Sequence, residues 1–299
     1  MPDKNYQSNR EGLIISHFGQ SVIVENAAGE IVTCQLHRNQ DQIVVGDRVL
    51  WSCGQSETGV IVDILPRKSL LYRGDGRDKT KPIAANIDLM LIVMAPPPIF
   101  SEYLIDRYLV ASELVQIPAM IILNKIDLLD ETGLTQMNQH LEPYQANYPV
   151  MRTCIYQHET LATLALQLKD KVGVLIGPSG VGKSSIISAL SQHDIKTQAV
   201  NPKGGGKHTT TATRLYHLKD GGALIDSPGV REFNLWSVSE QDILRGFKEF
   251  EPYLGACKFR NCHHKVEPGC AIREAKAAGK INAKRYEIYC QLLENIGKR

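Results

Sequence analysis

Hydrophobic and polar positions divide the chain into three textures. Between residues 12 and 66, short runs rich in β-branched residues are separated by Gly, Asn and Asp: Leu13–Ser16, Ser21–Glu25, Ile31–Gln35, Arg48–Ser52 and Gly59–Ile64. Such runs, bounded by turn formers, predict strands. Five in succession suit a small barrel of the OB-fold or SH3-like kind. The block closes at Pro66-Arg67-Lys68, and Gly74-Asp75-Gly76-Arg77-Asp78 reads as a mobile linker.

From residue 86 the apolar runs become nearly continuous: Ile87–Met94, Pro118–Leu123, Val172–Ile176 and Ala223–Ile225. Patterns of helical length lie at 101–115, 132–142, 159–169 and 183–192. Strands buried on both faces and alternating with helices predict a parallel α/β sheet. After residue 236 no strand pattern follows. Ser239-Glu240-Gln241-Asp242 can start a short helix, a Cys/His knot occupies 257–270, and Ala271–Ala278 and Asn282–Ile296 read as helices. The expected division is a barrel at 1–68, an α/β domain at 69–235 and a helical metal-binding module at 236–299.

Composition adds location and charge. No segment approaches the roughly 20 apolar residues of a membrane span, and MPDKNYQSNREG lacks the apolar centre of a signal peptide. A cytoplasmic protein with no membrane partner is expected. Cys34, Cys53, Cys154 and Cys290 are scattered and most read as small buried hydrophobes, whereas Cys257, Cys262 and Cys270 cluster as metal ligands do. Residues 256–299 carry ten Lys/Arg against four Asp/Glu, a net of +6, while residues 1–70 carry six against eight, a net of −2. A nucleic-acid partner is therefore expected at the C-terminal end.

The chemistry begins at Gly177-Pro178-Ser179-Gly180-Val181-Gly182-Lys183-Ser184, a G-x-x-x-x-G-K-S loop directly after an apolar strand. Glycines let consecutive N–H groups turn inward around phosphate oxygens, with a helix N-terminus behind them. Lys183 is expected to reach the β- and γ-phosphates and the Ser184 hydroxyl to ligate Mg²⁺. Asp226-Ser227-Pro228-Gly229 ends another apolar strand. Asp226 can hold Mg²⁺ through water, and the Gly229 N–H can sense the γ-phosphate. Asn124-Lys125-Ile126-Asp127 ends a third. The Asp127 carboxylate can accept both N1–H and N2–H₂ of guanine, a pair adenine lacks, and the Lys125 stem can pack along the base.

The loop Lys203–Thr211, KGGGKHTTT, supplies a threonine, Thr210 or Thr209, to complete the Mg²⁺ shell as a switch. A water-orienting Gln commonly follows D-x-x-G, but Val230 stands here, so hydrolysis is expected to be slow without a partner. His208 is the nearest replacement in sequence; a structural or RNA-contacting role is its alternative. Cys257-x₄-Cys262-x-His264-x₅-Cys270 offers three thiolates and an imidazole, a closed set suited to one structural zinc, with His263 a rival to His264. The base-reading motif precedes the phosphate loop, the reverse of ordinary GTPases, so the domain is expected to be circularly permuted.

On NKID, GPSGVGKSS, KHTTTA, DSPGVREF and the Cys/His knot, the chain resembles the bacterial ribosome small subunit-dependent GTPase A family over nearly its whole length. The resemblance implies an OB-fold that binds RNA, a permuted GTPase centre with Mg²⁺ and GTP or GDP, and a zinc domain that contacts the ribosome. It also implies a monomeric factor on the 30S subunit and its 16S rRNA, with subunit-stimulated GTP hydrolysis during late maturation. A non-catalytic GTP-gated RNA adaptor is the alternative. By this resemblance Asn124, Lys125 and Asp127 read the base and Gly177–Ser185, including Ser185, hold phosphates. Lys183, Thr210 and His208 stand at the reaction, with His208 as the catalytic histidine. A last expectation is that nucleotide state moves the zinc module through a leash at Val230–Ala256.

Overall fold

The computed structural model describes residues 9–36, 42–53, 58–74, 80–191, 213–226 and 238–295. The predicted strands of the first block form β1 (Arg10–Phe18), β2 (Ser21–Asn26), β3 (Ile31–Gln35), β4 (Arg48–Cys53) and β5 (Gly59–Ile64). Alternation puts Ile14, Val22, Val24, Cys34, Val49, Trp51 and Ile61 inside. β3 pairs parallel with β5, and β4 returns to β1, so the order β1-β2-β3-β5-β4 closes on itself as an OB-fold barrel.

After Lys68 the chain forms two strands that flank the expected linker, of which only Gly74 is described. β6 (Leu70–Gly74) pairs antiparallel with β7 (Thr80–Ala85), burying Leu71 and Ala84; residues 75–79 lie outside the described set. Arg67 grips the fully buried Asp47 with two bonds, Nε to Oδ1 at 2.6 Å and Nη2 to Oδ2 at 2.8 Å. That fork anchors the start of the hairpin to the barrel.

The α/β domain holds β8 (Leu89–Met94), β9 (Ala119–Asn124), β10 (Val150–Thr153), β11 (Val172–Ile176), β12 (Thr213–His217) and β13 (Ala223–Asp226), in spatial order β10-β9-β8-β11-β13-β12. The four strands read from the apolar runs pair parallel as expected, and β12, which those runs do not include, pairs antiparallel with β13. β12 and β13 are joined by a tight turn, with Leu218 N–H donating to Gly222 O at 3.0 Å, and no crossover helix intervenes. Along β8 the side chains alternate. Met90, Ile92 and Met94 face α1 (Glu102–Leu114) and α2 (Glu131–Gln145), while Leu89, Leu91 and Val93 face α3 (His158–Leu168) and α4 (Lys183–Leu190).

β12 also pairs antiparallel with β1, Ser16 opposite Arg214 and His17 opposite Thr213. Barrel and α/β domain thus share one eleven-stranded sheet, and a single apolar cluster runs from Ile14 and Trp51 to Met90 and Ile121.

The C-terminal module contains α5 (Glu240–Arg245), a 3₁₀ stretch at Lys248–Tyr253, α6 (Ala271–Ala277) and α7 (Ala283–Asn295). Ser239 and Asp242 start α5 with reciprocal side-chain caps, as the Ser239–Asp242 pattern predicts. Phe247, Phe250, Ile288 and Tyr289 pack against Val110 of α1. A Cβ on Gly246 would lie 2.5 Å from Val110 Cγ2, so only glycine admits this approach. Within the expected leash, therefore, residues 238–256 include packed elements; residues 230–237 lie outside the described set.

Candidate functional site

Three chain segments leave the same, C-terminal edge of the sheet, where open α/β sheets bind ligands. β11 runs into Gly177–Gly182, and α4 begins at Lys183. Gly177, Gly180 and Gly182 all have positive φ, at 146°, 84° and 96°. A Cβ at Gly177 would sit 2.2 Å from the Val93 carbonyl oxygen, and one at Gly182 would sit 2.4 Å from Asn124 Nδ2. The loop can close over β8 and β9 only with glycine at these positions. Lys183 is buried, and its Nζ donates to the carbonyls of Gly177 at 2.6 Å and Pro178 at 2.7 Å. The ammonium is thereby folded back over the loop. Ser179, Ser184 and Ser185 are exposed, Pro178 is half-buried and Val181 is buried.

The base-reading motif is tied to this loop directly. Asn124, almost wholly buried, donates from Nδ2 to Val181 O at 2.8 Å and accepts the Thr153 hydroxyl at 3.0 Å. Lys125 takes a left-handed φ of 61° and donates from Nζ to Gly180 O at 2.7 Å. Ile126 and Asp127 form a 3₁₀ turn, Ile126 packing on the core and Asp127 exposed. Asp226 ends β13, one strand from the phosphate loop. Asn124, Lys125, Asp127, Gly177–Ser185 and Asp226 therefore converge. His208, Thr209, Thr210, Gly229 and Val230 lie outside the described residues.

Two further residues join the base reader. Thr153 ends β10 in register with Asn124, which puts its hydroxyl beside the amide. The next residue, Cys154, is buried, and its thiol is pushed up, first by burial and then by the Asp127 carboxylate beside it. A protonated thiol is a donor to that carboxylate. The sequence signal for both is faint, because β10 is short and its Arg152 interrupts the apolar run.

The knot forms a second centre. One ligand atom each from Cys257, Cys262, His264 and Cys270 lies within 4.8 Å of the others, a set that could hold a metal ion. His264 Nδ1 stands 3.5 Å from Cys257 Sγ and 3.4 Å from Cys270 Sγ, and the two sulfurs are 4.0 Å apart. Burial holds the His264 imidazole below its ordinary value, in the neutral form a metal needs. The imidazole that stands among the three thiols is that of His264, while His263 turns its Nδ1 to Glu240 Oε2 at 2.6 Å. Glu267 fixes the turn by accepting N–H groups of His263, Lys265 and Val266.

A glycine-built phosphate loop docked on an Asn-Lys-x-Asp reader that precedes it in the chain defines a circularly permuted P-loop GTPase. The family model described as RsgA GTPase matches residues 64–236. The small ribosomal subunit biogenesis GTPase RsgA 1 of Vibrio parahaemolyticus serotype O3:K6 (strain RIMD 2210633) is 42% identical, over 97% of this chain and 84% of its own length. The crystal structure of YjeQ from Thermotoga maritima superposes with a TM-score of 0.78 at 32% identity, covering 98% of this chain and 100% of that one. That of YloQ, a circularly permuted GTPase, gives 0.75 at 25% identity over 100% of both chains. The chain belongs to the RsgA GTPase family and is a GTP-hydrolysing enzyme. Among the described residues no helix is long and apolar enough to cross a membrane.

Proposed function

We propose that this GTPase binds the small ribosomal subunit, contacts its 16S rRNA and assists late maturation, with hydrolysis stimulated by the subunit. It acts as a cytoplasmic monomer. The observation that carries the reading is the docking of Asn124 and Lys125 onto the phosphate loop, joined to the likeness to a relative named for small-subunit biogenesis. The domain division at 1–68, 69–235 and 236–299 belongs to the same reading.

The cradle fits a guanine nucleotide. Backbone N–H groups of Gly177–Ser185 surround the phosphates, and Lys183 exchanges the Gly177 and Pro178 carbonyls for phosphate oxygens. Asp127, held by Cys154, accepts the guanine N1–H and N2–H₂, and the Lys125 stem lies along the ring. Ser184, Asp226 and Thr210 (or Thr209) would hold Mg²⁺, which would supply charge neutralisation for phosphoryl transfer. Gly229 reports the γ-phosphate, and His208 orients the attacking water in place of the absent glutamine.

The knot fits one structural zinc. Tetrahedral Zn–S bonds of about 2.3 Å place ligand atoms about 3.8 Å apart, close to the 3.4–4.0 Å separations at Cys257, His264 and Cys270. Four protein ligands close the shell, so the metal holds the module together and does no chemistry.

Phosphate release from GTP, measured with and without purified 30S subunits, tests the proposal. Strong stimulation is expected; none at saturating subunit concentration would refute the ribosomal role and leave only the intrinsic GTPase.

A further inference from the structure

We propose that the loop between Cys257 and Cys262 is a stacking platform for an unpaired nucleotide, making the metal knot a single-stranded RNA contact. The inference rests on the ribosomal reading and names the chemistry of one of its surfaces.

The central observation is Phe259, a phenylalanine 43% exposed in a module whose Phe247 and Phe250 are buried. It lies between Lys258 and Arg260, and Lys258 Nζ sits 5.6 Å from the ring centroid. On the following turn Lys265 adjoins Val266, which is 80% exposed. From residue 257 to 266 there are three cations and no carboxylate. None of Lys258, Arg260 and Lys265 is in an ion pair among the described residues. The nearest acid in sequence, Glu267, turns its carboxylate onto the backbone N–H groups of His263, Lys265 and Val266.

An aromatic face beside unpaired cations is what single-stranded RNA requires, a base on the ring and phosphates on the ammonium and guanidinium groups. A docking protein would instead meet a cation at the ring and two more in the flanking sequence, none in an ion pair among the described residues. The platform is also rigid. Lys258 N–H donates to Gly269 O at 2.9 Å, and both ends of the loop are ligands of the metal set. Stacking therefore orders little that was free, which favours affinity. The barrel, net −2 over residues 1–70, offers no comparable excess of cations.

The test titrates full-length, metal-loaded protein with a short fluorescein-labelled unstructured oligoribonucleotide, and with an RNA duplex of equal length. Wild type is expected to prefer the single strand. Phe259→Ala should weaken it about tenfold, in line with the effect of removing one base-stacking ring. Phe259→Trp should retain binding and Phe259→Leu should resemble the alanine variant. Lys258→Ala with Arg260→Ala should flatten the salt dependence. Metal content and basal GTPase activity check the fold; should the alanine variant lose its metal, the Trp and Leu pair carries the comparison.

Leucine binding as well as phenylalanine, or the duplex binding as tightly as the strand, overturns the stacking assignment. Phe259→Ala that loses 30S association while keeping the oligonucleotide places the contact on protein and overturns it too. Unchanged oligonucleotide binding by Phe259→Ala beside intact 30S stimulation of wild type removes only the platform. Absent stimulation of wild type removes the ribosomal reading itself.

Discussion

The α/β domain is joined to its two neighbours in opposite ways. Toward the barrel it shares a backbone ladder, β1 on β12, and one continuous apolar cluster. Toward the C-terminal module a smaller apolar patch around Val110 is joined by one buried cation. Arg285 of α7 bonds Asp106 of α1 and forks onto Glu249 at 2.6 and 2.9 Å, with its guanidinium over Phe247 and Tyr144. Apolar burial is non-directional and strong, whereas a buried ion pair spends most of its Coulombic attraction against desolvation. The first seam fuses two folds into one body. In the second, the ion cluster specifies a docking position and adds little to the stability that the apolar patch supplies.

Burial, with a smaller push from Glu249, raises Asp106 to about 7 even though Arg285 and Tyr144 favour its charge. One cation facing two carboxylates is thus an imperfectly balanced set. That is consistent with an ion cluster selected for geometry over strength.

The largest break should come from the metal. Structural zinc contributes about 10–16 kcal/mol of apparent folding energy in small domains. Chelation, or Cys262→Ser, is expected to melt the C-terminal module while the barrel and sheet persist, as read by hydrogen exchange. Loss of protection in β8 and β11 as well would show that the three parts fold as one and erase the contrast between seams.

Arg285→Ala comes next. Removing the cation strands Asp106 and Glu249 in a dry interface at a cost of about 3–5 kcal/mol. Replacing all three by Met, Leu and Leu should restore most of the stability. A triple variant as unstable as Arg285→Ala would mean the ion cluster itself supplies the strength of the seam. On the other side, Ile14→Ala should cost about 2–5 kcal/mol through lost burial and a cavity. It should also lower a single cooperative transition covering barrel and sheet; two resolved transitions would divide what the shared cluster is taken to unite.

The two seams also differ in how far the sequence announces them. Barrel strands and buried sheet strands were readable because period-two alternation and continuous apolar runs are local consequences of which face is buried. The cradle was readable for a stricter reason: phosphate binding forces Gly177, Gly182 and Lys183 into a fixed spacing. β10 and β12 escaped because each is short and carries an arginine, Arg152 or Arg214, within an otherwise strand-like run. Thr153 and Cys154 gain their meaning only from register with β9. The Arg285–Asp106 contact spans 179 positions, and no local pattern can encode a partner at that distance. Its residues read separately as ordinary helix-surface charges.

The smallest expected effect refines the barrel seam. His217 of β12 reaches across β1 to Glu25 of β2, Nε2 to Oε2 at 2.6 Å, on a partly exposed surface. Exposed pairs of this kind are worth about 0.2–1 kcal/mol. His217→Ala should therefore lower the shared transition only slightly, while the β1–β12 ladder and the apolar cluster keep the two folds together. A loss as large as that of Ile14→Ala would place the union of barrel and sheet in a polar clasp. The contrast would then fail, because both seams would be held by charge and only the C-terminal one would hide it from water.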